Sequence, residues 1–344
     1  MKIDFSTPDL PLPETDFDHE VLAFIRTWLE DSPTVPVQTS GSTGKPKIFQ
    51  IEKDRMRASA NMTCDILNLK EGDSALLCLP VAYISGKMMV VRALERKLKL
   101  FVQAPSTYPL STWCTSIDFA AMSPMQVEKS VGNLHHIKKL LIGGAAVSEN
   151  LKIKIAENLH QREGHSLVYE TYGMSETLSH IALKEIYPTA EEYFQVIKNI
   201  DIALDHRDCL QIRAPQLHPE ILHTNDLVEI KDKNHFKFLG RIDHVINSGG
   251  LKIYPEQLEN ILKKEITHDL VFTALPDPHL GEKLILAVEG KDSQALREKI
   301  SRASYPTKNH RPRDIFFLRE FPRIPNGKVN RLELLNLIKD ARRQ

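Results

Sequence analysis

No stretch of this chain approaches the roughly 20 consecutive apolar residues that a membrane-spanning helix needs. Its first twenty residues, MKIDFSTPDLPLPETDFDHE, are acidic and proline-rich. A secretory leader starts basic and turns apolar, so neither a span nor a signal peptide is expected. Charge of one sign is missing too: 45 Lys and Arg balance 45 Asp and Glu, for a formal net charge of zero. With no global field to draw in nucleic acid or an acidic bilayer, any anion site has to be built locally. Cysteine is scarce. Cys64, Cys78, Cys114 and Cys209 form no CxxC pair and no metal-ligand rhythm, so they read as reduced thiols rather than a disulfide frame or zinc site. These absences point to a cytoplasmic protein with no membrane or nucleic-acid partner. They leave its oligomeric state open.

Core material is plentiful. Hydrophobic residues make up 42% of the 344, enough for about two domains. Residues 18–30 place Val21, Leu22, Phe24, Ile25, Trp28 and Leu29 at helical spacing, and 53–69 repeats the pattern. Short apolar runs then alternate with helical stretches. The runs are 75–80, 99–103, 119–123, 138–144 and 166–173, and the helices fall at 86–96, 124–131 and 148–161. That alternation predicts βαβ units and a mostly parallel buried sheet, whose ligand loops follow the strand ends. From about 200 the texture changes to short alternating strands with a turn at Asp232 to Asn234, expected as a small antiparallel or barrel-like subdomain. Residues 244–344 return to an α+β pattern, with helices near 255–264, 293–303 and 330–342. The expected class is therefore α/β, with a large domain over 1–242 and a small α+β domain over 243–344. There is no internal repeat and no low-complexity tract.

The chemistry-bearing loops follow those strand runs. TSGSTGKPK (39–47) offers hydroxyls at Thr39, Ser40, Ser42 and Thr43, permissive backbone at Gly41 and Gly44, and cations at Lys45 and Lys47. Hydroxyls, backbone N–H groups and ammonium groups are what a polyphosphate requires. A Walker A loop would need Ser or Thr after the lysine, and Pro46 breaks that pattern. Taken alone, the stretch also reads as a solvated Gly/Ser linker. Glu176, alone, also reads as a helix-start acid, and the GK at 327–328 as an ordinary turn.

Six segments in one order remove that ambiguity. TSGSTGKPK resembles the phosphate loop of the ANL superfamily of adenylate-forming enzymes, which includes acyl- and aryl-CoA synthetases, peptide-synthetase adenylation domains and luciferases. LIGGAAVS (141–148) is similar to its adenine-side loop, with Gly143, Gly144 and Ala145, and YETYGMSET (169–177) to its most diagnostic strand-end segment. LHTND (222–226) resembles its T-G-D element, with Asn225 in place of glycine; this substitution reads as mild because Asn tolerates left-handed backbone. FLGRIDHVINSGGLKIYPEQLEN (238–260) is similar to its hinge segment, and PNGKVNR (325–331) to its C-terminal lysine loop.

The resemblance implies the adenylating fold and a site for ATP, Mg²⁺ and, as co-substrate, coenzyme A. It implies that Tyr172 stacks on adenine, with Gly173 and Met174 in the same nucleotide-binding stretch. Ser175 would contact the α-phosphate, Glu176 hold magnesium, Asp226 bind the ribose hydroxyls, and Arg241 contact ribose or phosphate. Asp243 would be the hinge of a mobile C-terminal domain, Gly249 and Gly250 would lie near the thiol channel, and Lys328 would reach the carboxylate and α-phosphate. The LPVAYISGKMM segment looks most like that of o-succinylbenzoate-CoA ligases, implying 2-succinylbenzoate as substrate, a place in menaquinone biosynthesis, and an acyl-pocket gate at Tyr83 and Gly86. Tyr83 reads equally as a half-buried aromatic. Lys87 and Arg92 are the cations near that gate that could meet a second carboxylate, or they are surface charges on a helix. Only 38 residues precede Thr39, where the superfamily usually has a hundred or more, so an N-terminal subdomain is expected to be mostly absent. Another aryl-CoA ligase, an enzyme loading a carrier-protein thiol, and an inactive nucleotide-binding relative are the competing functions.

Overall fold

The computed structural model describes residues 1–39, 47–162, 165–323 and 329–341. Strand β1 (Lys2–Asp4) precedes helix α1 (Asp16–Leu29). The start of α1 is set by a capping box: the Asp18 amide donates to the Thr15 hydroxyl at 3.2 Å and the Thr15 amide donates to the Asp18 carboxylate at 3.0 Å. Strands β2 (Thr34–Thr39) and β3 (Lys47–Glu52) pair antiparallel as a two-stranded unit and lead into α2 (Lys53–Ile66).

The predicted alternation follows, as β4 (Ser74–Leu77), α3 (Ile84–Glu95), β5 (Lys99–Val102), β6 (Ile117–Met122), α4 (Pro124–Ser130), β7 (Ile137–Ile142), α5 (Glu149–Gln161) and β8 (Leu167–Gly173). Strands β9 (His180–Tyr187), β10 (Phe194–Val196), β11 (Asp201–Leu204), β12 (Cys209–Arg213), β13 (Leu222–Asp232) and β14 (His235–Arg241) complete a sheet ordered β1-β5-β4-β6-β7-β8-β9-β10-β14-β13-β12-β11.

Parallel pairing runs from β5 through β4, β6 and β7 to β8, and every other neighbour is antiparallel. The parallel block is covered on both faces, as its hydrophobic runs require. Ala75 and Leu77 of β4 join Phe119 and Leu141 in a cluster with α1, α2 and α3, whereas Leu76 joins Ala120, Leu140 and Ile142 in a second cluster with α4 and α5. The strands after residue 200 share an apolar cluster around Phe236 and Ile212 with Ile181 and Ala182 of β9 and Phe194 of β10. They do not close into a barrel, because β9 pairs along β8 from Tyr187 opposite Val168 to His180 opposite Gly173 and carries them into the main sheet.

Beyond Arg241 a second sheet forms from β15 (Ile246–Ser248), β16 (Leu251–Ile253), β17 (Leu270–Asp277), β18 (Gly281–Glu289) and β19 (Asp314–Leu318), with helices α6 (Pro255–Leu262), α7 (Gln294–Arg302) and α8 (Arg331–Ala341). Phe272, Leu284 and Leu286 pack with α6 and α7, while Val271, Ile285 and Ala287 pack with Leu334 and Ile338 of α8. Helix α8 is also held by charge. Arg331 donates to both oxygens of the buried Glu259 carboxylate at 2.7 and 2.8 Å, and the Phe272 amide donates to the same carboxylate at 3.0 Å. Removing one partner of such a pair strands the other in the core. Arg331→Met should therefore lower unfolding free energy by about 3 kcal/mol in a denaturant titration; a loss below about 0.5 kcal/mol would assign the docking of α8 to its apolar face alone.

Candidate active site

The parallel strands deliver their following loops to one edge of the sheet. Residues 143–148 leave β7, and the turn Ser175–Thr177 leaves β8. The first loop is pinned from below: the Val147 amide donates to the buried Glu170 carboxylate at 3.0 Å, which also pairs with Lys184 at 3.0 Å. Gly143 is half-buried and Gly144 and Ala145 are exposed above that anchor.

The second loop is a tight structure. Thr177 is buried, and its hydroxyl accepts from the Met174 amide at 3.0 Å and donates to the Ser179 carbonyl at 2.7 Å. Leu178 adopts φ 64°, a conformation that a bulky residue holds only where its surroundings over-determine it. Gly173 is required by space, because a Cβ there would lie 2.3 Å from the Ser179 carbonyl oxygen and 2.5 Å from His180 Cα. This packing leaves Ser175 and Glu176 exposed at the turn. Among the described residues no group of three His, Cys, Asp or Glu side chains could hold a metal ion by itself. A lone exposed carboxylate suits magnesium that keeps most of its other ligands as water and substrate phosphates.

Tyr172 lies at the end of β8 with its ring in an aromatic cluster, 5.0 Å from Phe236 and 5.9 Å from Phe194. Its hydroxyl donates to Asp226 at 2.5 Å, and burial, then the Asp226 charge, push that phenol well above its usual pKa. Arg241 approaches the other Asp226 oxygen at 3.8 Å and donates to Asp243 at 2.7 Å. Asp243 is bound from its second oxygen as well, by the Asn225 side-chain amide at 2.9 Å. Burial alone would raise the Asp243 carboxyl; Arg241, with help from Asn225, overrides it and holds the group below its ordinary value.

Asn225 is not among the residues with left-handed backbone, so its substitution for glycine acts through the side chain. Its carbonyl oxygen accepts from Arg207 at 2.9 Å, and Arg207 is braced by Asp205 at 2.7 Å. Sequence reasoning missed Arg207, and the only signal was the unusual Asn at 225. A cleft of about 550 Å³ lies on the same side, lined by Arg207, Leu227, Ile242, Val245, Lys252 and Tyr254. Gly249 and Gly250 form the tight β15–β16 turn with φ of 58° and 82°.

Tyr83 caps the start of α3, and its backbone bridges to Gln38 of β2, which brings the gate segment against the strand leading into 39–47. Gly86 is buried under Pro80. Lys87 turns outward to α1, with Nζ 4.5 Å from the Phe24 ring centre in a groove of about 370 Å³ shared with Glu20 and Thr27. Ser40, Gly41, Ser42, Thr43, Gly44, Lys45 and Lys328 lie outside the described residues, and Thr39 and Lys47 are described only as the backbone pair closing β2 and β3. The segments flanking Lys328 do meet, through a bridge between Arg323 and Val329.

Residues 26–205, more than half of the 344, match the family model described as AMP-binding enzyme. The chain belongs to the AMP-binding enzyme family. Curated relatives of this AMP-binding enzyme include the 2-succinylbenzoate–CoA ligases of Lactococcus lactis, 25% identical over 89% of this chain and 71% of that protein, and of Listeria monocytogenes, 25% identical over 94% and 73%. A solved acyl-CoA synthetase (AMP-forming)/AMP-acid ligase II-like protein from Dyadobacter fermentans is 34% identical, covers 96% of each chain and superposes with a TM-score of 0.63. O-succinylbenzoate coenzyme A synthetase from Bacillus subtilis, solved with ATP and magnesium ion, shares the fold at 19% identity and a TM-score of 0.72, over 87% of this chain and 69% of that one.

The tight contact at Gly173 gives a local test. Gly173→Ala should cost about 2 kcal/mol of stability by thermal melting, because backbone rather than a movable side chain blocks the added methyl. A melting temperature within a degree of the wild type would show that the 172–180 turn relaxes freely.

Proposed function

We propose that this AMP-binding enzyme is an AMP-forming acid–CoA ligase whose acid is 2-succinylbenzoate. The reading is carried by the convergence at the sheet edge of Tyr172 and Asp226, joined at 2.5 Å, with the exposed Ser175 and Glu176 on the adjoining turn. The names of the curated relatives, whose similarity runs along most of the chain, support the choice of acid.

In this proposal Tyr172 is the adenine platform, and Gly173, Met174 and Gly143 to Ala145 form the nucleotide's walls. Asp226 accepts hydrogen bonds from the ribose hydroxyls in place of the Tyr172 hydroxyl. Residues 39–47 hold the β- and γ-phosphates. The acid's carboxylate attacks the α-phosphorus, forming an O–P bond as the bond to pyrophosphate breaks. Two anions meet in that step, so catalysis rests on alignment and on charge placed around the reacting centre. Ser175 and Lys328 contribute there, and Glu176 holds magnesium, whose charge offsets that of the phosphates. In the second step the coenzyme A thiolate attacks the acyl carbon, the C–S bond forms, and AMP leaves with the oxygen.

The exchange of roles between the steps is assigned to rotation of residues 243–344 about Asp243, a hinge-type change. The separate apolar clusters before 239 and after 245 support that division. Tyr83 and Gly86 gate the acyl pocket, with Lys87 at its outer rim, and Gly249 and Gly250 border the thiol path.

ATP, magnesium, coenzyme A and 2-succinylbenzoate should yield pyrophosphate, AMP and a thioester, with EDTA stopping pyrophosphate release and excess magnesium restoring it. If other aryl acids turn over and this one does not, the assignment of the acid fails. If the acid is transferred only to a carrier-protein thiol, the coenzyme A assignment fails instead. Lys328→Ala should lower adenylate formation by about 100-fold or more, and an unchanged rate would remove Lys328 from the chemistry. Asp243→Pro should slow thioester formation by at least about 100-fold while adenylation stays within about tenfold; equal loss of both half-reactions would count against the rotation.

A further inference from the structure

The turn after β14 is tied in two directions. Asp243 lies in the short turn Ile242–His244 and binds the first sheet: one carboxylate oxygen accepts from the Asn225 side-chain amide at 2.9 Å and the other from Arg241 at 2.7 Å. The next residue, His244, is bound the other way, with Nδ1 2.5 Å from the Glu256 carboxylate of α6. The junction between the two sheets therefore passes between neighbouring side chains.

The Asn225 contact is prepared by Arg207, which uses all three of its side-chain nitrogens. Nε donates to Asp205 at 2.8 Å, Nη1 to the Asn225 side-chain oxygen at 2.9 Å and Nη2 to the Thr224 carbonyl at 2.9 Å. Asp205 in turn accepts from the Arg207 and Cys209 amides at 2.7 and 3.0 Å. Burial would raise the Asp205 carboxyl, but the Arg207 side chain and those two amides outweigh it and hold the group at about 2, so the brace stays charged at neutral pH.

This brace settles which way the Asn225 amide points. A guanidinium only donates, so the side-chain oxygen faces Arg207 and the NH₂ group is left for Asp243. Burial would raise the Asp243 carboxyl, Arg241 and Asn225 hold it down, and the ionised group only accepts. Reversing the amide would set like against like on both sides. Beside these bonds lies the 550 Å³ cleft, with Arg207 and Leu227 on the side of the first sheet and Val245, Lys252 and Tyr254 on the side of the second. It gives the C-terminal segment room to move once Asp243 is released.

We propose that Asn225, oriented by Arg207, latches Asp243 and so biases the enzyme toward the arrangement seen here, which serves adenylation. Arg207 and Asn225 are positioning residues that act through Asp243 and touch no substrate. The latch rests on the two-step ligase reading above for its role, though not for its geometry. The arrangement is assigned to the first step because it keeps Arg241 3.8 Å from Asp226, the carboxylate proposed to hold the ribose. One hydrogen bond to a charged group is weak enough to break in each cycle, and strong enough to change the populations of two arrangements by about tenfold.

Asn225→Asp is the sharpest variant, because it is isosteric and keeps an acceptor for Arg207 but sets a second carboxylate against Asp243. Asn225→Gly removes the side chain altogether, and Arg207→Met leaves the amide unoriented. Pyrophosphate release with ATP, magnesium and 2-succinylbenzoate would give the adenylation rate, and mixing preformed adenylate with coenzyme A the thioester rate. The ratio of the second rate to the first should rise about tenfold in Asn225→Asp and Asn225→Gly, and by less in Arg207→Met. Dyes on Cys114, exposed where the other three cysteines are buried, and on Glu298→Cys of α7 would report the hinge by energy transfer. The transfer efficiency of the latched arrangement should lose population in the same variants. A ratio within about twofold of the wild type, or both rates falling together, overturns the latch and makes Asn225 and Arg207 supports of β13 alone. A raised ratio with unchanged energy transfer overturns it too, since the effect would then lie in the site and not in the hinge. Should Asn225→Asp fail to fold, Asn225→Gly carries the same test. If no acid releases pyrophosphate with the wild type, the ligase reading fails, and energy transfer alone decides the latch: a shifted population upholds it and an unchanged one overturns it.

Discussion

The Asp226 carboxylate is the point on which the site depends. One oxygen takes the Tyr172 hydroxyl at 2.5 Å and the other faces Arg241 at 3.8 Å, so a single side chain joins the end of β8, the middle of β13 and the last residue of β14. Arg241 then passes the connection to Asp243, where the chain leaves the first sheet. In the proposed function a bound ribose competes for the same oxygens, so nucleotide binding and the start of the C-terminal segment would share one set of hydrogen bonds.

Asn225 tightens that coupling in a way a glycine could not. Its amide nitrogen donates to Asp243 while its carbonyl oxygen accepts from Arg207, itself fixed by Asp205, so Asp243 is held by Asn225 on β13 and by Arg241 at the end of β14. The C-terminal side is held as well. His244 and Glu256 meet at 2.5 Å beside Gly240, and Arg331 lies 4.0 Å from Glu256. Each of these contacts is polar and partly exposed, the kind of interface that exchanges partners at low cost.

The apolar architecture has the opposite character. The parallel block is buried on both faces and its loops are propped from beneath by Glu170 and Thr177, which presents Ser175 and Glu176 without their own side chains having to hold the turn. The strained backbone at Leu178 and the close approach at Gly173 are maintained by that packing. Rigid support under an exposed turn is what a reaction between two anions needs, since misalignment costs rate directly.

The alternation of apolar runs with helical periods was enough to place β4 to β8 and α3 to α5 within a few residues, because a doubly covered parallel strand leaves a continuous hydrophobic signature. The order of the glycine- and hydroxyl-rich segments was likewise enough to indicate the family, and it named Tyr172, Glu176, Asp226 and Asp243 as candidates. Three features were decided only by tertiary structure. The strands after 200 join the main sheet through β9 rather than closing on themselves, since strand pairing depends on which edges are free. Asn225 became a hydrogen-bonding link because Arg207 and Asp243, 18 residues away on either side, fold against it. Arg92 and Lys87 look alike as cations on one helix, and only the packing of α1 on one side and Ser179 on the other turns one outward and buries the other. Local periodicity reports which residues share a face; which face meets which neighbour is settled by long-range contacts that no short window of sequence contains.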